Sequence, residues 1–219
     1  MKRRPRKPYG RKSACRGSTA TRSFRRIGNL WRSDVQARIR GRGGPGTLPM
    51  ESGAPKRHRS HRFVNTALAW RAAGTAVPFV IVLCGSGAVI GSTRFWNLEQ
   101  WPWPEEHPES GRRIFDACEI GYTWLAPSAI RTAANTEAKL LMLTHAFETW
   151  RVLRVCLHTD VRNERSRAAI ERIGGRFEGI LRAHRLAADF TPRDSARYSI
   201  VAAEWPSVRR RLRDLLNRA

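Results

Sequence analysis

The chain has 219 residues, of which 41% are hydrophobic and 9% aromatic, enough to build one sizeable hydrophobic core. Its formal net charge of +23 is concentrated in residues 1–62, which carry 19 Lys and Arg against Asp34 and Glu51. No apolar core follows this positive charge, which argues against a secretory signal peptide.

Residues 1–62 are rich in Arg, Gly, Ser and Pro and cannot bury enough apolar surface to offset their ordering entropy. We expect a basic, disordered arm, apart from a short helix near Phe24–Arg40. Such an arm suits contact with RNA or the ribosome. A purely solvated tail and an organelle transit segment are the alternatives.

Four cysteines, Cys15, Cys84, Cys118 and Cys156, are widely spaced and form no C-x-x-C pair. Three of them lie in apolar segments, where a free cysteine behaves as a small hydrophobe. We expect a reduced, cytoplasmic protein with no disulfide and no metal site.

From residue 63 to 219 the sequence alternates helix and strand signals, which indicates one folded domain. The apolar stretch Thr75–Ser92 is interrupted by Pro78 and by a glycine turn, so it predicts a hairpin and no membrane span. The predicted elements up to residue 125 are helix Phe63–Ala73 and strands Val77–Cys84, Ala88–Asn97 and Ala117–Leu125.

The second half of the domain is predicted to open with a long helix. After strand Val152–Thr159, Asn163 is a good N-cap for a second helix. Gly174 suits the left-handed backbone conformation that ends such a helix. The predicted elements are helix Thr132–Trp150, strand Val152–Thr159, the helix after Asn163, strands Arg176–Leu186 and Arg197–Glu204, and a basic helix from Pro206.

Three segments between Glu119 and Ile200 carry a family resemblance. The run from Asn163 to Gly179, NERSRAAIERIGGRFEG, resembles the signature N-x-x-S-x-x-x-x-x-x-x-G-[FA]-x-x-E-G of the Rim-type branch of the GNAT superfamily, with one inserted residue before Phe177. This branch comprises ribosomal-protein N-acetyltransferase-like enzymes. Residues 119–127, EIGYTWLAP, resemble the family strand that ends against the thioester, and residues 193–200, RDSARYSI, resemble its penultimate strand.

The resemblance implies an α/β fold with a central mixed, mostly antiparallel sheet and flanking helices. It implies binding of acetyl-CoA in the gap between two splayed parallel strands, Ala117–Leu125 and Val152–Thr159. Acetyl would pass directly to an amine, either a protein N-terminal α-amine or a small-molecule amine.

The diphosphate loop departs from the family pattern [QR]-x-x-G-x-[GA], because residues 130–138, IRTAANTEA, contain no glycine. A helix N-terminus can still present free N–H groups and the positive end of its dipole to the two phosphates. We expect Arg131 to add charge and Thr132, Asn135 and Thr136 to add donors. An ordinary capped helix start is the alternative.

The remaining coenzyme contacts follow from the resemblance. A backbone N–H near Trp124 or Leu125, where the family strand bulges, would polarise the thioester carbonyl. Asn163 would contact the pantetheine arm, and Ser166 would lie near the sulfur, where it could protonate the leaving thiolate.

A general base is the least defined part of the site. Glu119 is the first candidate, because relatives place a carboxylate on this strand; a paired surface carboxylate is the alternative. Some relatives carry a glutamate where Arg185 stands, and the neighbouring His184 is the nearby titratable replacement. A structural role for this histidine is its alternative.

The competing function is a catalytically inactive domain of the same fold that binds RNA or the ribosome through residues 1–62. The basic arm and the glycine-free loop motivate it.

Overall fold

The computed structural model describes residues 25–26, 56–111, 113–187 and 190–218. Its sheet has seven strands in the order β1-β2-β3-β4-β5-β7-β6, and only the β4–β5 pair is parallel. The strands are Arg25–Arg26 (β1), Ala76–Val82 (β2), Val89–Glu99 (β3), Ala117–Leu125 (β4), Arg154–Asp160 (β5), Arg176–Leu186 (β6) and Pro192–Val201 (β7). The predicted mixed, mostly antiparallel α/β fold is confirmed.

Within the described ranges, four α-helices accompany the sheet: Lys56–Ala72 (α1), Ala134–Thr144 (α2), Glu164–Arg172 (α3) and Trp205–Asn217 (α4). A π-helical segment, His145–Trp150, continues α2, and Arg151 ends it in the left-handed region with a φ of 61°. None of the helices in the described ranges combines the length and apolarity that crossing a membrane requires.

The two faces of the sheet bury different helices. Helix α1 packs Val64 and Ala67 against Val80 of β2. The opposite face carries the main core, in which side chains of α2, α3 and α4 meet those of the central strands; its largest fully buried members include Tyr198, Phe95, Met142, Leu143, Ile173, Ile200 and Leu212. One face of the sheet is therefore filled by three helices.

Two elements, α1 and β7, differ from their predicted bounds by more than two residues. Helix α1 begins at Lys56 instead of Phe63, because Lys and Arg favour a helix without contributing the apolar periodicity that a sequence reading detects. Strand β7 begins at Pro192, where pairing with β6 extends it, and ends at Val201 before a short 3-10 turn, Ala202–Glu204.

The predicted arm contributes one described segment besides the start of α1. Arg25 and Arg26 form a strand that pairs antiparallel with Val80 and Phe79. These two residues contradict the helix predicted near Phe24–Arg40, since an extended pair cannot belong to a helix. The rest of that helix, and the disorder predicted for most of residues 1–62, lie outside the described residues.

Candidate functional site

The two parallel strands separate halfway along their length. Strands β4 and β5 pair only at Ala117↔Arg154, Cys118↔Val155 and Glu119↔Cys156. Beyond these three pairs, β4 stays bonded to β3 and β5 to β7, and the facing edges open into a gap. The gap lies between the strands for which it was predicted.

A bulge shapes the β4 side of this gap. Arg94 pairs with Gly121 and Ser92 with Trp124, so β4 has one extra residue between these pairs, and Tyr122 has a φ of 52°. The bulge therefore lies immediately before Trp124 and Leu125, the residues predicted to stand beside it.

The direction of one backbone N–H near this bulge follows from the hydrogen bond that the next residue makes. Ala126 also has an extended backbone, and its N–H donates to the carbonyl oxygen of Ile90 in β3 at 2.7 Å. Because consecutive N–H groups of an extended chain point to opposite edges, the N–H of Leu125 points away from β3 and into the gap. This N–H is therefore available to a ligand in the gap.

The front of α2 reaches the same gap. Leu125, at the end of β4, packs against a buried cluster that includes Ala134 and Ala138 of α2. The N-cap residue, Ala133, has no capping side chain, and Thr132 Oγ1 accepts from Ala134 N at 3.3 Å. Among the described residues, no acceptor meets the N–H groups of Asn135 and Thr136. The helix thus presents free amides at its positive end.

The four side chains predicted at this helix front have different environments. Thr136 is buried, with 2% of its surface exposed, and Asn135 Oδ1 is buried with no hydrogen-bond partner among the described residues. Thr132 is exposed and caps the helix. Arg131 is exposed, with a φ of 62°.

A further cation at this helix front, Arg172, was not selected from the sequence. It is the last residue of α3, and its Nη2 donates to Thr136 Oγ1 at 2.8 Å. A cation at the positive end of a helix dipole is unfavourable unless an anion accompanies it. Arg172 and Thr136 are 36 positions apart in the chain, and no local sequence pattern predicts a contact over that separation.

The first turn of α3 borders the gap from the β5 side, because α3 follows the carboxyl end of β5. Asn163 caps this helix as predicted, and its Oδ1 accepts from Ser166 N at 3.0 Å. Gly174 follows the helix with a positive φ of 102°, as the predicted stop requires.

Titratable groups gather on the sheet face that carries α1. Glu119 Oε1 lies 2.9 Å from His158 Nδ1, within ion-pair distance but outside hydrogen-bond alignment, and both side chains are buried. The ring of His184 is 5.1 Å from that of His158. Burial, followed by the positive charge of Arg185, lowers the pKa of His184 below its usual value and favours the neutral ring.

The sequence reading selected Glu119 and His184 but passed over His158. The signal that would have found it is strand register. Glu119 pairs with Cys156 on the parallel neighbour, so His158, two residues further along, lies on the same face.

Aromatic rings and arginines surround this cluster. The rings of Trp70, Trp96 and Tyr122 contact one another at centroid distances of 5.3 to 6.2 Å. Arg94, with only 2% of its surface exposed, lies 4.3 Å from the Tyr122 ring centroid. Burial raises the pKa of Tyr122 and lowers the pKa of Arg94 to about 10.

Comparison with known proteins agrees with the family that the sequence resembles. Residues 31–176 match the family model for the acetyltransferase (GNAT) domain, and the match begins inside the segment predicted as an arm. YdaF of Bacillus subtilis, a protein named as a ribosomal N-acetyltransferase, is 38% identical over 119 residues. That similarity covers 54% of this chain and 57% of YdaF, so the chain matches little more than half of this relative.

Solved structures share the fold. An acetyltransferase-type protein of T. thermophilus is similar with a TM-score of 0.66 and 28% identity, over 88% of this chain and 92% of that one. RimJ of Mycobacterium smegmatis, solved in complex with CoA-disulfide, has a TM-score of 0.60 and 25% identity, over 76% and 75% of the two chains.

Proposed function

Because this chain belongs to the GNAT acetyltransferase family, we propose that it transfers acetyl from acetyl-CoA directly to an amine, with a protein N-terminal α-amine as the acceptor. The coenzyme supplies an acetyl group activated as a thioester. The name of YdaF favours a ribosomal acceptor, and a small-molecule amine is the alternative.

The observation that carries the proposal is the meeting of the strand gap with the front of α2. The gap opens after Glu119 and Cys156, and Leu125 at its edge packs against the buried cluster to which Ala134, in the first turn of α2, belongs. A diphosphate at the helix front and a thioester beside the β4 bulge can therefore belong to one extended molecule. The free amides and Arg172 supply positive potential where the phosphates would lie.

Glycine is dispensable in this loop for a structural reason. Residues 133 and 134 are alanines, and Arg131 adopts the left-handed φ of 62° that glycine would otherwise provide. The amides of Asn135 and Thr136 remain without acceptors among the described residues. This supports diphosphate binding by Arg131, Thr132, Asn135 and Thr136, together with Arg172.

The transfer step needs a neutral amine, a polarised carbonyl and a protonated leaving group. Leu125 N–H is positioned to polarise the carbonyl at the gap, beside Trp124. Glu119, with His158, is the first candidate to accept the amine proton, and neutral His184 is the second. We assign Asn163 to the pantetheine arm and Ser166 to the departing thiolate by family resemblance.

The test is acetylation by the full chain. We expect saturable acetyl-CoA binding in calorimetry, and thiol release that depends on an added N-terminal peptide, with a 42 Da gain at its α-amine by mass spectrometry. Glu119→Gln should lower kcat by about tenfold to a hundredfold while leaving the Kd for acetyl-CoA unchanged. Glu105→Gln, at an exposed loop position, is the matched control.

The competing function predicts a different result. If the domain is inactive and the basic arm is the functional part, the full chain will show no acetyl-CoA binding. It will instead bind RNA with an affinity that falls steeply as salt rises. That pair of results would overturn the acetyltransferase proposal.

A further inference from the structure

Positive charge is concentrated beyond the Glu119 cluster at the ends of two neighbouring strands. Arg185 of β6 pairs directly with Arg193 of β7 across the strands. Like charges directly opposite each other on neighbouring strands repel and destabilise the sheet. Stability alone therefore does not explain this pair. Burial, with Arg185 contributing, lowers the pKa of Arg193 despite the favourable charge of Asp160.

The carboxylates near this face are already engaged. Glu119 contacts His158, and Asp160 accepts two hydrogen bonds from the Arg162 guanidinium, at 3.0 and 2.8 Å. Asp160 is only a distant partner of Arg193, at 3.8 Å. Within the described ranges, Arg94 and Arg185 have no carboxylate within ion-pair distance. The positive charge of this face is therefore incompletely balanced.

Both unbalanced arginines lie on aromatic rings. Arg185 is 4.3 Å from the Trp96 ring centroid, and Arg94 contacts the rings of Phe63, Trp70 and Tyr122. These contacts hold the guanidinium groups in place without neutralising them. Arg94 Nη1 is buried and has no hydrogen-bond partner among the described residues. The charge of Arg94 therefore adds to the positive potential of this face.

The distance from this charge to the proton-accepting groups is short. Trp96, beneath Arg185, is the cross-strand partner of Glu119. His184 is next to Arg185 in the chain, and its ring is 5.1 Å from that of His158. An extended peptide advances about 3.3 Å per residue. An anion at Arg185 is therefore about one to three residues from an amine at Glu119.

We propose that the acceptor is a protein amino terminus that carries Asp or Glu at its second or third residue, with Arg185 and Arg193 binding that carboxylate. The inference rests on the proposed function, since it takes the α-amine to lie at Glu119. It specifies the acceptor by charge, which neither the fold nor the relatives' names do.

The test uses heptapeptides that differ only by Asp or Asn, and by Glu or Gln, at residues 2 and 3. Calorimetry on the full chain saturated with CoA measures their binding without requiring acetyl transfer. We expect the acidic peptides to bind about tenfold more tightly than the amides. Arg185→Gln should reduce this preference to near unity, and Arg185→Lys should restore part of it.

Arg210→Gln is the matched control, because it removes the same charge from an exposed position on α4. It should leave the acidic preference intact. Equal affinity for acidic and amide peptides, or a preference that Arg185→Gln and Arg210→Gln reduce equally, would overturn the inference. Acidic peptides that bind selectively but are never acetylated would contradict the proposed function and the acceptor assignment with it, and only the Arg185-dependent binding of the carboxylate would remain.

Discussion

A buried lysine in α2 is the most unusual residue of the core. Lys139 has only 4% of its surface exposed, and its Nζ donates to Thr123 Oγ1 at 2.7 Å and to Thr93 Oγ1 at 3.4 Å. No carboxylate among the described residues lies within ion-pair distance of it. Burial lowers the pKa of Lys139 to about 7, so its ammonium form is disfavoured in the fold.

We expect Lys139→Met to stabilise the protein and to flatten its pH dependence. The unfolded chain holds this proton up to about pH 10.4, whereas the folded chain releases it near pH 7. The free energy of unfolding should therefore rise with pH between these values, by about 2 kcal/mol from pH 7 to pH 9. Urea unfolding of parent and variant at both pH values measures this, and parallel pH profiles would contradict it.

Sequence reasoning found individual residues when a local rule identified them. Asn163 and Gly174 were predicted correctly as helix boundaries, because capping and positive φ are local requirements. His158 and Arg172 were missed, because their roles arise from strand register and from the packing of one helix end on another. Such contacts become visible only once the elements are assembled.

At the scale of elements, the front of α2 offers a direct test of anion binding. Arg172→Ala removes the cation that bonds to Thr136, and it should weaken acetyl-CoA binding by roughly tenfold. S-acetylpantetheine, which lacks the diphosphate, should bind the variant and the parent equally well. Calorimetry with both ligands separates lost charge from general damage.

The matched control for this test is Arg165→Ala, which removes an exposed arginine from the same helix. It should leave both affinities unchanged. If Arg172→Ala weakens both ligands alike, Arg172 supports the helix packing and the phosphate assignment fails.

The order of elements in the domain was predictable because apolar periodicity and turn residues are strong signals from residue 76 onward. The boundaries of α1 and β7 were not, because their outer residues are polar and are held by neighbours instead of by their own pattern. The bulge in β4 was predicted only through family resemblance, since no residue type requires Tyr122 to take a positive φ.

For the whole molecule, the basic arm and the domain are connected through the sheet. Arg25 and Arg26 cover the outer edge of β2, which would otherwise present unpaired backbone groups. The boundary proposed at residue 62 therefore separates two compositions, but two segments on the arm side, Arg25–Arg26 and the start of α1, form part of the fold. A role of the remaining arm in RNA or ribosome contact stays a proposal.

The brief pairing of β4 with β5 has a dynamic consequence. Only three residue pairs bond the halves of the sheet to each other. Within Ile120–Leu125 and Leu157–Asp160, the amides that point into the opening should therefore exchange with deuterated solvent sooner than those at the centre of β7. A coenzyme lying against both edges would slow that exchange on both strands together. Protection of one strand alone would place the coenzyme elsewhere. Joint protection would mean that binding of the acetyl donor ties the two halves of the sheet together where their own pairing ends.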